Sequence, residues 1–306
     1  MRSRRPPSRL RLVAGDGDAG SPLERFVCLR GAVGEAAARA AILRGGVFVS
    51  GLRVRDPAYA VPAGAVVEVA LRAEQPAAAL EPARLLHLDA HLLAVDKPAG
   101  VLAQEGRAGG PSLPTLCSDL LRARGEDGSA LLVHRLDRGT TGVAILARTR
   151  AAQAALLAAF REGRVEKEYR ALACGSAAAD EGAVDLALGP DPAVPGKRRP
   201  DARGESARTR WRVVERLRGA ASLSVFPETG RTHQVRAHLA AVGLPLLGDA
   251  RYGGPRALTN ERGARLEAQR PLLHAFRLHV PHPEGGALHL EAPLPRDLLD
   301  AIDFLR

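Results

Sequence analysis

The chain of 306 residues contains a short segment in which a carboxylate lies among cations, HRLDRGTTG at residues 134–142. Asp137 follows Arg135 by two residues and directly precedes Arg138. If Asp137 is buried, a nearby cation has to keep it ionised, and an ionised carboxylate can act as a nucleophile or a general base. Spacing alone favours a simpler interpretation, a turn between two strands, where Asp, Gly and Thr are common for backbone reasons.

A second segment, ETGRTHQVRAHLAAVGLPLLGDARYGG at residues 228–254, adds polar residues at one end of an amphipathic helix. It places Arg231 where that helix begins, so that a guanidinium is available close to the apolar face. His233 and His238 are five residues apart, which does not match the spacing of four that brings two metal ligands together on a helix. We therefore interpret both histidines as helix surface or as satisfied core residues.

The remaining candidate metal ligands do not form a set either. His87 and His91 are four residues apart but have no third ligand nearby in the sequence, and we interpret them as structural. The three cysteines are far apart and suggest neither a disulfide framework nor a zinc site; they are Cys28, Cys117 and Cys174. No phosphate-binding glycine loop follows a strand. The sequence therefore predicts no metal and no organic cofactor.

The elements that must position these residues divide into two groups. Residues 23–44 read as two short helices broken by glycines, and residues 46–71 read as three strands, the first two joined in a hairpin around Ser50 and Gly51. We predict four parts: a flexible basic tail over residues 1–20, a small α/β domain over 21–72, a linker over 73–84 and a larger domain over 85–306.

The larger domain is rich in short strands, with helical periodicity only at residues 150–162 and 232–242. Residues 189–206 and 253–271 are rich in Pro, Gly and Arg and are expected to be loops. Strands mixed irregularly with few helices predict an α+β fold, with a mainly antiparallel mixed sheet flanked by helices and loops.

Charge points to a polyanionic partner. The chain carries a formal charge of +10, and residues 1–72 hold 12 arginines against 6 acidic residues. Arginine binds phosphate through a planar fork of donors, although an arginine-rich composition is also typical of a GC-rich genome. Aromatic residues make up only 3% of the chain, too few to stack successive bases. Binding of a polyanionic partner should therefore depend on contacts with its phosphates and on its shape. Separately, no run of residues is apolar enough to cross a membrane.

Several segments of the sequence resemble the signatures of a known protein family. HRLDRGTTG resembles the HRLDxxTSG signature of the RluA family of pseudouridine synthases, with Thr141 in place of the usual Ser. Residues 231–253 resemble the family's RTHQIRxHLxxxGxPIxGDxxYG signature, and VEKEYRAL resembles its KxYxA strand. The likeness to these RluC- and RluD-like enzymes covers nearly all of residues 85–300. Residues 23–71 also resemble the small RNA-binding domain named after ribosomal protein S4.

The resemblance implies a chemistry and its residues. Asp137 would be the catalytic carboxylate, attacking ribose or uracil or removing a sugar proton, and Arg231 would be its cationic partner. Tyr169 would lie against the uracil and help to move a proton. Arg135 would fill the gap left by an extruded uridine, or contact a phosphate. The arginines expected to bind RNA in the small domain are Arg25, Arg39 and Arg44.

These implications predict an RNA pseudouridine synthase that acts on structured RNA, most simply large-subunit ribosomal RNA. Two alternatives stay open: the same enzyme acting on transfer RNA, and a non-catalytic RNA-binding or ribosome-assembly protein of the same fold. We further expect a monomeric cytoplasmic protein, since unpaired cysteines fit a reducing compartment. Membrane association is not expected.

Overall fold

The computed structural model describes residues 10–31, 33–43, 45–69, 79–104, 112–259 and 264–306. The described residues form two compact units, one within residues 1–79 and 104–112, and the other within residues 80–103 and 113–306. No helix in the described ranges has the length and apolar character needed to cross a membrane.

The first unit is a small sheet covered by two helices. Its elements are β1 (Leu10–Val13), α1 (Leu23–Gly31), α2 (Glu35–Leu43), β2 (Val47–Val49), β3 (Leu52–Val54) and β4 (Val66–Val69). The sheet is antiparallel with the order β1-β4-β2-β3. The turn between β2 and β3 has positive φ at Ser50 and Gly51, the backbone of a two-residue hairpin. Phe26 of α1 and Ile42 of α2 are buried in the core.

The structure differs from the predicted tail at residues 10–20. Leu10 pairs with Val69, so β1 is an edge strand of the sheet rather than a flexible segment. The turn that follows is held by Asp18, which accepts from the Gly15 N–H at 2.8 Å and from Arg30 at 2.7 Å. The basic segment that begins at residue 10 is therefore part of the folded unit, and residues 1–9 lie outside the described residues.

The second unit is built on one large sheet. Its strands are β5 (Leu85–Leu88), β6 (Leu92–Lys97), β7 (Leu131–Leu132), β8 (Thr141–Ala147), β9 (Glu166–Cys174), β10 (Glu181–Asp185), β11 (Leu188–Pro190), β12 (Arg198–Pro200), β13 (Arg208–Leu217), β14 (Ala220–Pro227), β15 (Ala257–Thr259), β16 (Arg265–Glu267), β17 (Leu273–Pro281) and β18 (Ala287–Glu291). Its helices are α3 (Leu113–Ala123), α4 (Arg150–Arg161), α5 (Gln234–Ala241) and α6 (Arg296–Leu305).

The large sheet has ten strands and is mixed. Eight strands follow the order β10-β13-β14-β9-β17-β8-β6-β5, and β18 and β7 pair with β17 and β8. The pairing of β17 with β8 is parallel, and the other described pairings in this sheet are antiparallel. This confirms the predicted α+β class. The central strand β8 is buried along its whole length, which fixes the end of the segment carrying Asp137.

Several local predictions differ from the structure. Helices α3 and α6 were not predicted, although both carry apolar residues at helical spacing, such as Leu113, Leu116 and Leu120 in α3. The two predicted loops contain short antiparallel ribbons, β11 with β12 and β15 with β16. The predicted linker ends in the second unit's core, because Leu80 is buried there. Residues 73–78 lie outside the described residues.

Candidate active site

Asp137 lies in the turn between β7 and β8, and two buried cations hold the backbone of that turn. Lys97, at the end of β6, is fully buried and donates to the carbonyl of Thr140 at 2.8 Å. Arg270 donates to the carbonyl of Gly139 at 3.1 Å. Burial lowers the pKa of Lys97 to about 8. The turn is therefore fixed by contacts within the folded protein.

The cation facing Asp137 is Arg236, on the first turn of α5. Its Nη1 donates to Oδ2 of Asp137 at 3.0 Å, and its Nε and Nη2 donate to both carboxylate oxygens of Asp249 at 2.7 and 2.8 Å. Burial lowers the pKa of Arg236, but the hydrogen bonds and charges of Asp249 and Asp137 outweigh burial and raise it overall. The guanidinium stays charged and bridges two carboxylates.

The predicted pairing of Arg231 with Asp137 is wrong. Arg231 precedes α5 and donates from Nε to the carbonyl of Ser206 at 3.0 Å, while its Nη1 lies 3.1 Å from Glu205. Helix α5 begins only at Gln234, so Arg231 is held in the turn before it. Arg236 lies within the helix and reaches the carboxylate. Arg231 still lines the same cavity as Asp137.

His233 and Tyr252 complete the surroundings of Asp137. The hydroxyl of Tyr252 accepts from the backbone N–H of Arg198 at 2.9 Å and lies 2.9 Å from Nδ1 of His233. Nε2 of His233 lies 3.8 Å from Oδ2 of Asp137. The Tyr252 ring packs under the Arg236 guanidinium, 4.9 Å from its centre. His233 is thus part of the site, whereas its interpretation from the sequence was structural.

His238 does match that interpretation. It is fully buried, with its ring nitrogens 2.9 Å from the Thr209 hydroxyl and 2.9 Å from the carbonyl of Leu186. Within the described part of the chain, no group of three or more His, Cys, Asp or Glu side chains is arranged to hold a metal ion.

The site opens into a cavity of about 520 Å³, a volume in the usual range for small-molecule ligands. Tyr169, on β9, lines this cavity together with Asp137. Burial, and secondarily the charge of Asp137, raises the pKa of the Tyr169 phenol, so the hydroxyl stays protonated at neutral pH. The cations lining the cavity are Arg135, Arg161, Lys167, Arg231 and Arg236.

His134 and Lys167 shape one wall of the cavity. The His134 ring stacks on Phe160 at 4.8 Å, and its Nε2 accepts from the backbone N–H of Ile145 at 2.9 Å. Burial lowers the pKa of His134 to about 4, so the ring is neutral. Lys167 donates to the carbonyl of Thr229 at 3.0 Å and ties β9 to the turn before α5. Arg135 is exposed at the same cavity.

A second carboxylate, that of Glu228, also lines the cavity. Its two oxygens are occupied by arginines of β13: Arg210 donates to Oε1 at 2.8 Å and Arg208 lies 3.5 Å from Oε2. Asp137 is instead held through Oδ2 by Arg236. Glu228 is therefore bound to the arginines of β13, whereas Asp137 lies in the interior of the site.

Of the arginines predicted to bind RNA in the small domain, Arg25 and Arg39 lie in the first unit. Arg25 is exposed on α1. Arg39 on α2 is exposed and lies 3.0 Å from Glu24. Arg44 lies outside the described residues.

Sequence reasoning identified Asp137, Tyr169 and Arg135 at the cavity but missed four buried side chains that hold the site. These are Lys97, Arg236, Asp249 and Arg270. Lys97 and Asp249 were visible as charged residues within or beside apolar segments, LLAVDKP and LPLLGD, which is an unusual position unless the charge is paired. Arg270 carried no comparable signal.

Comparison with known proteins gives a consistent picture. Residues 91–241 match the family model described as RNA pseudouridylate synthase. The chain is 36% identical over 229 residues to "Ribosomal large subunit pseudouridine synthase D" of Nitrosomonas europaea, covering 74% of this chain and 66% of that protein. It is 39% identical over 204 residues to "Dual-specificity RNA pseudouridine synthase RluA" of Yersinia pestis, covering 66% of this chain and 94% of that protein.

Among solved structures, "Human RNA Pseudouridylate Synthase Domain Containing 4" superposes with a TM-score of 0.54 at 27% identity. The superposition covers 72% of this chain and 92% of that chain. The similarity in sequence and in fold therefore leads to the same group of proteins.

Proposed function

The chain belongs to the RluA family of RNA pseudouridine synthases, and from that premise we propose that Asp137 is its catalytic carboxylate. Isomerisation of uridine breaks the bond between ribose C1′ and uracil N1, forms a bond between C1′ and C5, and moves a proton from C5 to N1. A carboxylate can assist by attacking the ribose or the uracil, or by removing a sugar proton.

The observation that carries this proposal is the state of the two carboxylates at the cavity. Glu228 is bound by two arginines of β13, whereas Asp137 lies beside the buried Arg236, in a turn whose backbone is held by buried cations. A glycosidase mechanism would need two carboxylates acting as a pair. One available carboxylate fits a reaction in which the same group assists both bond breaking and bond formation.

We propose supporting roles for three more residues. Tyr169 lies against the uracil, where its neutral hydroxyl assists the final proton transfer. Arg135 contacts the RNA at the position that the extruded uridine leaves, since it is exposed at the cavity. Arg231 contacts an RNA phosphate, because its half-exposed guanidinium lies at the same cavity and is not the partner of Asp137.

The test of the catalytic proposal is Asp137→Asn with Glu228→Gln as the matched control. Both changes remove a carboxylate charge at the cavity at nearly constant volume. We expect Asp137→Asn to abolish release of tritium from RNA labelled at uracil C5 while leaving RNA affinity intact, and Glu228→Gln to keep turnover. Activity of a few per cent or more in Asp137→Asn would show that the carboxylate is dispensable.

We propose that the substrate is ribosomal RNA of the large subunit. The name of the Nitrosomonas europaea relative supports this target. Transfer RNA stays the second candidate. Mapping pseudouridine in ribosomal and transfer RNA from cells with and without the gene decides between them. Sites that vanish only from transfer RNA would overturn the ribosomal assignment.

We also propose that the first unit is an S4-like RNA-binding domain. The support is its two helices packed on a small antiparallel sheet, its excess of arginine, and the exposure of Arg25 and Arg39. A cytoplasmic location is proposed as well, since all three cysteines are free. The monomeric state stays a prediction.

A further inference from the structure

We infer that His233 is a positioning residue for Asp137: Arg236 binds Oδ2 and an N–H group of His233 faces the same atom, so that Oδ1 is the oxygen that reacts. The inference rests on the proposed role of Asp137. Arg236 Nη1 lies 3.0 Å and His233 Nε2 lies 3.8 Å from the same atom, Oδ2. Among the contacts of the described residues, none involves Oδ1, although Asp137 lines the cavity.

The hydrogen bonds around Tyr252 fix which nitrogen of His233 carries the proton. The hydroxyl oxygen of Tyr252 already accepts from the backbone N–H of Arg198. If Nδ1 of His233 were protonated, that oxygen would receive two donors, and its own proton would have no acceptor among the described contacts. The satisfied arrangement has Tyr252 donating to Nδ1, which leaves the proton on Nε2.

This tautomer directs an N–H group at Asp137. Burial is the main cause that lowers the pKa of His233, partly opposed by the charge of Asp137, so the ring is neutral at neutral pH. A neutral imidazole has one N–H, and with Nδ1 accepting from Tyr252 that N–H lies on the side of Oδ2. The hydrogen bonds from Arg198 to Tyr252 and from Tyr252 to His233 thus orient the Nε2–H group of His233 towards the carboxylate of Asp137.

The backbone conformation of His233 makes it possible to distinguish a role in positioning Asp137 from a role in the local backbone. His233 is the residue before α5 and has φ 57° and ψ 20°, in the left-handed region. Asn adopts that region more readily than most residues, whereas Gln has no such preference. Gln, however, can place its amide N–H near the position of His Nε2, and Asn is too short to do so. Asn therefore suits the backbone at position 233 better, whereas Gln suits the contact with Asp137 better.

The experiment compares His233→Gln and His233→Asn in single-turnover tritium release at saturating RNA, with RNA affinity and thermal stability measured in parallel. At 3.8 Å the N–H group of His233 is beyond hydrogen-bond distance of Oδ2 and acts through its dipole, so we expect His233→Asn to react several-fold more slowly than wild type. His233→Gln should react faster than His233→Asn, although Asn is the better residue for the backbone. RNA affinity should not change in either variant.

Tyr252→Phe provides a second, independent variant. It removes the hydroxyl that fixes the tautomer, so we expect it to slow turnover in the wild-type background. It should cause no further loss in His233→Asn, because the donor is already absent. Additive losses, or an Asn variant as fast as the Gln variant, would overturn the inference.

Asp137→Asn in the same assay distinguishes a failure of the proposed role of Asp137 from a failure of the inferred role of His233. If Asp137→Asn retains turnover, the proposed role of Asp137 fails, and the positioning role of His233 fails with it. If Asp137→Asn is inactive while His233→Asn matches wild type, Asp137 keeps its role and only the inference about His233 is overturned.

Discussion

Replacing Asp249 by Asn tests whether the buried network behind Asp137 stabilises the fold. Asp249 is 1% exposed and binds Arg236 through two hydrogen bonds of 2.7 and 2.8 Å. The amide removes the charge, and its NH₂ group faces the guanidinium, where a donor cannot be accepted. Arg236 then keeps only Asp137 as a carboxylate partner.

The size of the effect follows from burial. Removing one partner of a buried ion pair costs about 3–5 kcal/mol, and we expect the lower end, about 3 kcal/mol, because Asp137 remains beside Arg236. For a unit of this size each kcal/mol lowers Tm by roughly 2–4 °C, so the expected decrease is about 6–12 °C. Turnover should fall as well, since Arg236 also anchors Asp137.

Asp297→Asn is the matched control. Asp297 binds Arg270 with the same geometry, at 2.7 and 2.8 Å, but its side chain is 49% exposed. Solvent screens such a pair, so the expected cost is about 1 kcal/mol or less. Arg270 also keeps its bonds to the carbonyls of Gly139 and Leu273 in this variant.

The assay is urea unfolding followed by fluorescence of Trp211. It is the single tryptophan of the chain and lies buried in β13, so its emission reports on the second unit alone. Equal losses of unfolding free energy in the two variants would show that the difference in burial between Asp249 and Asp297 does not set the cost. An unchanged Asp249→Asn protein would show that the buried network does not stabilise the fold.

Three further predictions concern the uracil contact, a buried amine and the first unit. Tyr169→Phe should bind RNA normally but turn over slowly, whereas Tyr169→Ala should also bind the flipped base more weakly; full tritium release by both would contradict its role. Lys97 has a folded-state pKa of about 8 against 10.5 unfolded, so between these values the unfolded chain binds more protons and stability rises with pH. The unfolding free energy of wild type relative to Lys97→Met should therefore increase from about pH 8 to about pH 10, and a decrease would show that burial does not lower this pKa. Arg25→Gln should reduce the slope of log affinity against log salt by somewhat under one unit, while Arg296→Gln, at an 85% exposed side chain on α6, serves as the control; equal slopes in both would argue against an RNA contact by Arg25.

The sequence was sufficient for the class of fold, whereas the roles of the residues in its motifs stay predictions. Asp137 and Tyr169 could be placed because their motifs are long, and the alternation of short strands predicted a mainly antiparallel sheet. The identity of the arginine beside Asp137 could not be deduced, because Arg231 and Arg236 are five residues apart and the helix start at Gln234 decides which of them reaches the carboxylate.

Two other differences also have physical causes. β1 alternates Leu and Arg in a basic segment, and only its pairing with β4, far along the chain, makes it a strand. His233 could not be recognised because its role depends on a left-handed backbone and on a hydroxyl nineteen residues away, at Tyr252. Tertiary contacts of this kind leave no periodic signal in the sequence.

The side-chain contacts that hold the Asp137 turn also have a consequence for folding kinetics. Lys97 reaches Thr140 across 43 residues, Arg236 reaches Asp137 across 99, and Arg270 reaches Gly139 across 131. Closing such long loops carries an entropic cost that only later native contacts offset, so we expect these bonds to form late in folding. A nascent chain that ends before Arg270 lacks the contact with Gly139, and one that ends before Arg236 lacks the contact with Asp137 as well. Recovery of turnover during refolding should therefore coincide with completion of the second unit.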